Sequence, residues 1–167
     1  MGEDRPGIVA GVTGALLQLQ CNVEDVATSI LRGHFAMMLV FTGGPDLKTE
    51  AVEAALRPLA QGPQLMFSVW SMAGTIESAQ ATHVLTVYGR DRAGIVHAVA
   101  QTLARLKVNI CDMVCRLHDT PEPVYVFTLE IQLPEGVTEE VVKSAVAAAS
   151  EPLGFSTSLH SVEQSEL

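Results

Sequence analysis

The sequence GEDRPGIVAGVTGALLQLQCNVED, residues 2–25, returns later in the chain as GRDRAGIVHAVAQTLARLKVNICD, residues 89–112. Aligned without gaps at an offset of 87 residues, the two stretches are identical at eleven of 24 positions. Chance would give about one or two matches in a window of this length. The repeat therefore predicts two copies of one structural unit.

The second copy has the pattern of a complete βαββαβ unit. Its strands alternate apolar and polar residues, and apolar residues recur at helical spacing after Gly94. Thr138 precedes two glutamates, which is typical of a capped helix start. The predicted strands are Thr82–Tyr88, Asn109–His118, Val124–Leu133 and Phe155–Val162, the predicted helices are Gly94–Leu106 and one that follows Thr138, and the predicted hairpin turn is Thr120–Pro123.

The first copy lacks one element of this unit. Only Met1 precedes Gly2, so nothing corresponds to the strand Thr82–Tyr88. A truncated chain, a start site placed too late, or a strand supplied by another chain would each account for this, and the three stay open. The other predicted elements of the first copy are the helices Gly7–Leu19 and Leu47–Arg57, the strands Asn22–Leu31, His34–Thr42 and Gln64–Met72, and a hairpin turn at Gly33.

These elements together predict an α+β protein with two tandem ferredoxin-like βαββαβ domains. Each domain is expected to have an antiparallel sheet with its helices on one face, and the first domain is expected to lack its first strand. The predicted domains are residues 1–73 and 82–162, joined by a linker at 74–81 and followed by a tail at 163–167.

The charge balance argues against some kinds of partner. Ten basic and nineteen acidic residues give a net charge of −9. Such a balance repels phosphate backbones and anionic membrane surfaces, so we expect neither direct nucleic-acid binding nor membrane binding. No signal peptide follows Met1 and no apolar run is long enough to span a membrane, which favours a cytoplasmic protein.

Residues that could support catalysis or metal binding are scattered. Three cysteines and five histidines lie without metal-ligand spacing, and no catalytic motif is present. We therefore expect no metal, no cofactor and no catalysis.

The turn before each first helix, Gly2–Gly7 and Gly89–Gly94, is the best candidate for a binding site. The free N–H groups at a helix start suit a carboxylate or a phosphate, and a glycine lets a ligand approach the backbone. Asn22 and Asn109 could offer amide groups to a zwitterion. Structural roles compete with these: Asp4 and Asp91 could cap the helices, and the asparagines could occupy left-handed turn positions.

The run GxDRxGIV, followed about fifteen residues later by N-[VI]-x-D inside βαββαβ, resembles the ACT domain. Two ACT domains in tandem are similar to the glycine cleavage system transcriptional repressor family. The resemblance implies binding of amino acids at interfaces between modules. The ligand-binding residues it implies are Asp4, Arg5, Pro6, Gly7, Ile8 and Asn22 in the first copy, and Asp91, Arg92, Gly94, Ile95 and Asn109 in the second. Ala93 departs from the DRPG pattern in the second copy.

The predicted function is a non-catalytic, amino-acid-binding regulatory protein of amino-acid or one-carbon metabolism. Its expected ligand is an amino acid such as glycine or serine, and its expected partners are a regulatory protein and a second copy in a homodimer. The alternative is an oligomerisation or interaction module that works without a ligand.

Overall fold

The computed structural model describes residues 1–60, 65–72, 74, 79–118 and 124–162. The chain divides into two compact units, Met1–Thr75 and Ile76–Leu167. Within the described ranges, no helix combines the length and apolarity needed to cross a membrane. The predicted hairpin turn Thr120–Pro123, the tail 163–167 and residues 75–78 of the predicted linker lie outside these ranges.

The elements follow the predicted order closely. The first unit contains β1 (Gly2–Glu3), α1 (Ile8–Gln18), β2 (Asn22–Leu31), β3 (His34–Thr42), α2 (Thr49–Leu56) and a 3-10 turn at Arg57–Ala60. The second unit contains β4 (His83–Arg90), α3 (Ile95–Arg105), β5 (Asn109–His118), β6 (Val124–Gln132), α4 (Glu139–Ser150), a 3-10 turn at Glu151–Leu153 and β7 (Phe155–Ser161).

The second unit has a four-stranded antiparallel sheet in the order β5-β6-β4-β7. Alternate residues of the central strands, such as Leu85, Val87 and Phe127, are buried and pack with α3 and α4 into one core. This confirms the predicted antiparallel α+β architecture. The predicted cap is also present, since Thr138 Oγ1 accepts from the Val141 N–H at 3.5 Å.

The first unit has a three-stranded antiparallel sheet in the order β1-β3-β2. Strands β2 and β3 form a hairpin in which Leu31 pairs with His34. The two residues of its turn, Arg32 and Gly33, have φ angles of 49° and 79°. Positive φ at both positions gives the type I′ turn that fits the twist of a hairpin. The prediction of a turn at Gly33 is confirmed.

The first strand of the first unit is reduced to a remnant. Gly2 pairs with Phe35 and Glu3 with His34, and the repeat offset equates Gly2–Glu3 with the last two residues of β4. The sequence predicted that this strand is missing, and the structure shows that its final two residues remain. The predicted turns at Gly2 and Gly89 therefore begin two residues later than expected, because both glycines lie within strands.

The predicted strand Gln64–Met72 is wrong over the residues that the structure describes. Residues 65–72 form no strand. Their one backbone link to the sheet is a reciprocal pair of hydrogen bonds, in which the Met66 N–H donates to Met1 O at 2.8 Å and the Met1 amino group donates to Met66 O at 2.7 Å. In the second unit β7 pairs with the whole length of β4. In the first unit the segment contacts Met1 in this way and forms no ladder with β1.

Both outer strands carry a β-bulge at the same position of the repeat. The register shifts between Val23 and Asp25 in β2, and between Ile110 and Asp112 in β5. A bulge inserts one extra residue, bends the strand and increases its twist. The two copies therefore share this irregularity as well as their regular elements.

The two units differ in the size of their cores. Among the described residues, thirteen buried side chains form the main cluster of the second unit, whereas four form that of the first. Val69, in the segment without a strand, still packs against the first cluster. Because burial of apolar area is the main stabilising contribution, the second unit is expected to be the more stable.

Native-state hydrogen exchange tests this difference. We expect the amides of β4, β6 and α3 to exchange slowest, and those of β3 and α1 to exchange about tenfold faster or more, because about 1.4 kcal/mol in opening free energy gives a factor of ten. Equal protection of β3 and β6 would contradict the expected difference in stability.

Candidate functional site

The turn that precedes the first helix has the same backbone conformation in both units. Gly7 at the start of α1 has φ 94° and ψ −6°, and Gly94 at the start of α3 has φ 98° and ψ −12°. This left-handed conformation strongly favours glycine. A Cβ atom at either position would meet nothing within 4 Å, so the backbone there faces open space.

The alternative role of the aspartates as helix caps is wrong. Gly7 and Gly94 are the capping residues, and neither helix start has a side-chain cap hydrogen bond. Asp4 and Asp91 lie three residues earlier and are exposed. The free N–H groups of the first turn therefore remain available to a ligand.

A pocket of about 140 Å³ opens at the first turn. Two contacts hold this turn in place: the Asp4 N–H donates to Gly33 O at 2.8 Å, and Arg5 Nη2 donates to Leu59 O at 3.3 Å. Its lining residues are Arg5, Pro6, Gly7, Ile8, Leu59 and Leu65. The walls are mainly apolar, and the Arg5 guanidinium is already engaged with a carbonyl group.

A larger pocket of about 280 Å³ opens at the second turn. Residues Asp91–His97 and Tyr125 line it. Of these, Asp91, Arg92, His97 and Tyr125 have polar side chains. Within the described part of the chain, the Arg92 guanidinium makes no hydrogen bond or ion pair, so it can still bind an anionic group.

Tyr125 comes to this pocket from β6, where it pairs with Gly89 of β4. Hydrogen bonding with the Cys115 side chain, followed by burial and by the nearby Cys115 and Asp91 charges, raises the pKa of Tyr125 to about 12. The Tyr125 hydroxyl is therefore protonated at neutral pH.

The structure does not bring the asparagines to the turns of their own units. Asn22 pairs with Thr42, whereas Gly2 pairs with Phe35, so about seven residues of β3 separate them. At about 3.3 Å per residue this is roughly 23 Å. Asn109 is similarly displaced, because it pairs with Gln132 while Gly89 pairs with Tyr125.

The alternative role of the asparagines in left-handed turn positions is also wrong. The left-handed residues before β2 and β5 are Gln20 and Lys107, each with φ 56°. Asn22 and Asn109 begin their strands in extended backbone and are exposed. Neither asparagine is needed for the turn that precedes it.

Sequence reasoning missed the residues that reach the pockets from other segments. Leu59 follows α2, and Leu65 and Tyr125 lie far along the chain from the turns they face. The register of β6 against β4 fixes the place of Tyr125, and no contiguous motif in the sequence specifies that register. In the described residues, no group of three or more His, Cys, Asp or Glu side chains could hold a metal ion.

Comparison with known families gives one consistent result. Models of the ACT domain match residues 1–69 and residues 81–159. The two matches take in both copies of the repeat.

Curated relatives match over a short stretch. The UPF0237 protein of Methanopyrus kandleri is 45% identical over 40 residues, which are 24% of this chain and 44% of that protein. The UPF0237 protein of Listeria innocua is also 45% identical over 40 residues, or 45% of its length. The chain spans less than half the length of the curated relatives it matches.

Solved structures are similar over nearly the whole chain. An unknown protein from Galdieria sulphuraria matches with a TM-score of 0.77 and 26% identity, over 96% of this chain and 94% of that one. A protein described as a glycine cleavage system transcriptional repressor matches with a TM-score of 0.66 and 19% identity, over 96% and 92%. At 19% identity, the second likeness concerns the fold alone.

Substitution of two glycines of the first unit tests the role of the turn. We expect Gly7→Ala to lower the free energy of unfolding by about 1–2 kcal/mol, because alanine is strained in the left-handed region. Gly14→Ala is the matched control, since Gly14 lies inside α1 and a Cβ there meets nothing within 4 Å. It should raise stability by about 0.5–1 kcal/mol. Urea unfolding measures both, and equal effects would contradict the assigned role of Gly7.

Proposed function

The chain belongs to the ACT domain family, and on that premise we propose that it is a non-catalytic regulatory protein that binds an amino acid. The observation that carries the proposal is that residues of both equivalent turns, Arg5–Ile8 and Asp91–Ile95, line pockets, although Asp4 itself does not line the first one. Each unit therefore has a pocket at the same place, beside its copy of the motif.

The size of the pockets supports a small ligand. Their volumes of about 140 and 280 Å³ lie below the roughly 300–1,000 Å³ typical of sites for drug-sized molecules. Helix N–H groups and Arg92 suit a carboxylate, and Asp91 suits an ammonium group. Glycine and serine carry both groups and are small enough to be the first ligands to test.

A second copy of the chain would complete such a site if the asparagines take part. Asn22 and Asn109 begin strands at the far end from the turns of their own units. If a ligand binds between two copies of the chain, dimer formation depends on that ligand. The ligand then shifts the equilibrium between monomer and dimer only by the difference in its affinity for these two states. We propose that this shift is read by a partner protein in amino-acid or one-carbon metabolism, in the cytoplasm and without direct contact to nucleic acid.

Calorimetric titration tests the binding of amino acids. We expect glycine, serine or another amino acid to bind and to raise the thermal midpoint, because a ligand that binds only the folded state stabilises it by RT ln(1 + [L]/Kd). Glycinamide and acetate serve as matched controls, since each lacks one of the two charged groups, and both should bind more weakly. If no amino acid gives heat or a thermal shift, the proposal is wrong.

A second candidate function is assembly without a ligand. Strands β2 and β5 lie at the edges of their sheets, and each leaves one row of backbone groups without a partner strand in its described unit. Apolar side chains along them are well exposed, including Val26 at 44%, Ile30 at 58% and Leu117 at 49%. Exposed edges with apolar side chains favour pairing with another chain.

Sedimentation of charge variants separates the two candidates. We expect the protein to self-associate and Val26→Lys to weaken this association, because a lysine on an edge strand opposes pairing. Val9→Lys is the matched control, since Val9 is 45% exposed but lies on α1. Association that depends on an added amino acid supports the regulatory function, and association indifferent to it supports the second candidate. If Val26→Lys and Val9→Lys behave alike, β2 is not the contact.

A further inference from the structure

The two pockets share a backbone turn but differ in the chemistry of their walls. Of the six residues that line the first pocket, none has a side chain that can accept a hydrogen bond. The second pocket has three such side chains, Asp91 on the turn, His97 on α3 and Tyr125 on β6. An ammonium group donates hydrogen bonds only, so it can be recognised by side chains in the second pocket and not in the first.

We propose that the second pocket is the one that selects α-amino acids, and that Tyr125 and Asp91 hold the ammonium group there. The inference rests on the proposed amino-acid binding and deepens it. The ligand class is a zwitterion whose carboxylate is held by Arg92 and the free N–H groups of the turn. The first pocket then takes a smaller ligand or contributes apolar contact only.

Tyr125 can accept a hydrogen bond from an ammonium group, because its hydroxyl oxygen has lone pairs. Tyr125 is partly buried, which strengthens a hydrogen bond made there.

The register of the two sheets puts Tyr125 and Phe35 at equivalent positions. Gly89 pairs with Tyr125 in the second unit, and the equivalent Gly2 pairs with Phe35 in the first. Phe35 is buried and cannot accept a hydrogen bond. The Arg5 guanidinium is bonded to Leu59 O, whereas its equivalent Arg92 makes no such bond within the described residues. In the second unit the strand therefore contributes an acceptor, and the arginine of the turn keeps its donors for a ligand.

Removal of the hydroxyl tests the proposal. We expect Tyr125→Phe to weaken the binding of glycine and serine at the second turn by about 10-fold to 100-fold, the usual effect of losing a hydrogen bond to a charged group. Calorimetry measures the affinity, and the amide shifts of Gly94 and Ile95 in nuclear magnetic resonance report whether that turn is filled. Acetate, which has no ammonium group, should bind wild type and Tyr125→Phe equally.

Tyr88→Phe is the matched control, because Tyr88 is an exposed tyrosine of β4 that does not line the pocket. It should leave both affinities within about twofold of wild type. Asp91→Ala removes the other acceptor of the proposal and should weaken the binding of glycine and serine by a similar factor. Because Asp91 is exposed, this variant keeps the proposal testable if Tyr125→Phe fails to fold.

The outcomes distinguish this inference from the proposed function. If glycine or serine binds wild type and Tyr125→Phe equally, or fills only the first turn, the inference is wrong and the amino-acid-binding function stands. If no amino acid shifts any amide of the wild-type protein, the function and the inference both fail. A loss confined to Tyr125→Phe and Asp91→Ala supports the inference.

Discussion

In each unit the rest of the structure depends on one constraint, the hydrogen bonding of the unit's first strand (β1 or β4) to its neighbouring strands. In the second unit β4 pairs with β6 on one side and with β7 on the other, and the core of thirteen buried residues forms on this sheet. In the first unit the corresponding strand β1 has two residues and pairs with β3. The hairpin of β2 and β3 and the helices form through their own pairing and packing, whereas residues 65–72 form no strand.

The sequence predicted most of the fold because its periodicities are local. Helix α3 begins one residue after Gly94 and β5 matches its predicted range, since apolar spacing and turn glycines fix both. The failure at Gln64–Met72 has a different origin. That stretch has strand-like composition, but a strand also needs a neighbour, and composition does not reveal whether one is present.

The candidate site, like the fold, could be predicted from sequence only where it depends on neighbouring residues of the chain. The turn around Gly7 and Gly94 could be found from sequence because it is a contiguous motif whose conformation demands glycine. Tyr125 could not be found in this way, because its position depends on the register between β4 and β6, which are far apart in the chain. The second turn departs from the DRPG pattern at Ala93, yet it opens onto the larger pocket. A sequence motif describes only the residues of the turn itself. The volume and chemistry of a pocket also depend on residues from other segments that face the turn.

The shared bulge of β2 and β5 has a consequence for how an added strand could dock. The bulge at Val23–Asp25 bends the start of β2 away from the direction of the other residues. The regular part of this strand edge therefore extends only over Asp25–Leu31. Bulges of this kind are one of the means by which proteins blunt their edges. An added strand would meet a short ladder with a defined end, which sets its alignment. Long, flat edges favour uncontrolled pairing, and the bulge shortens the regular part of this one.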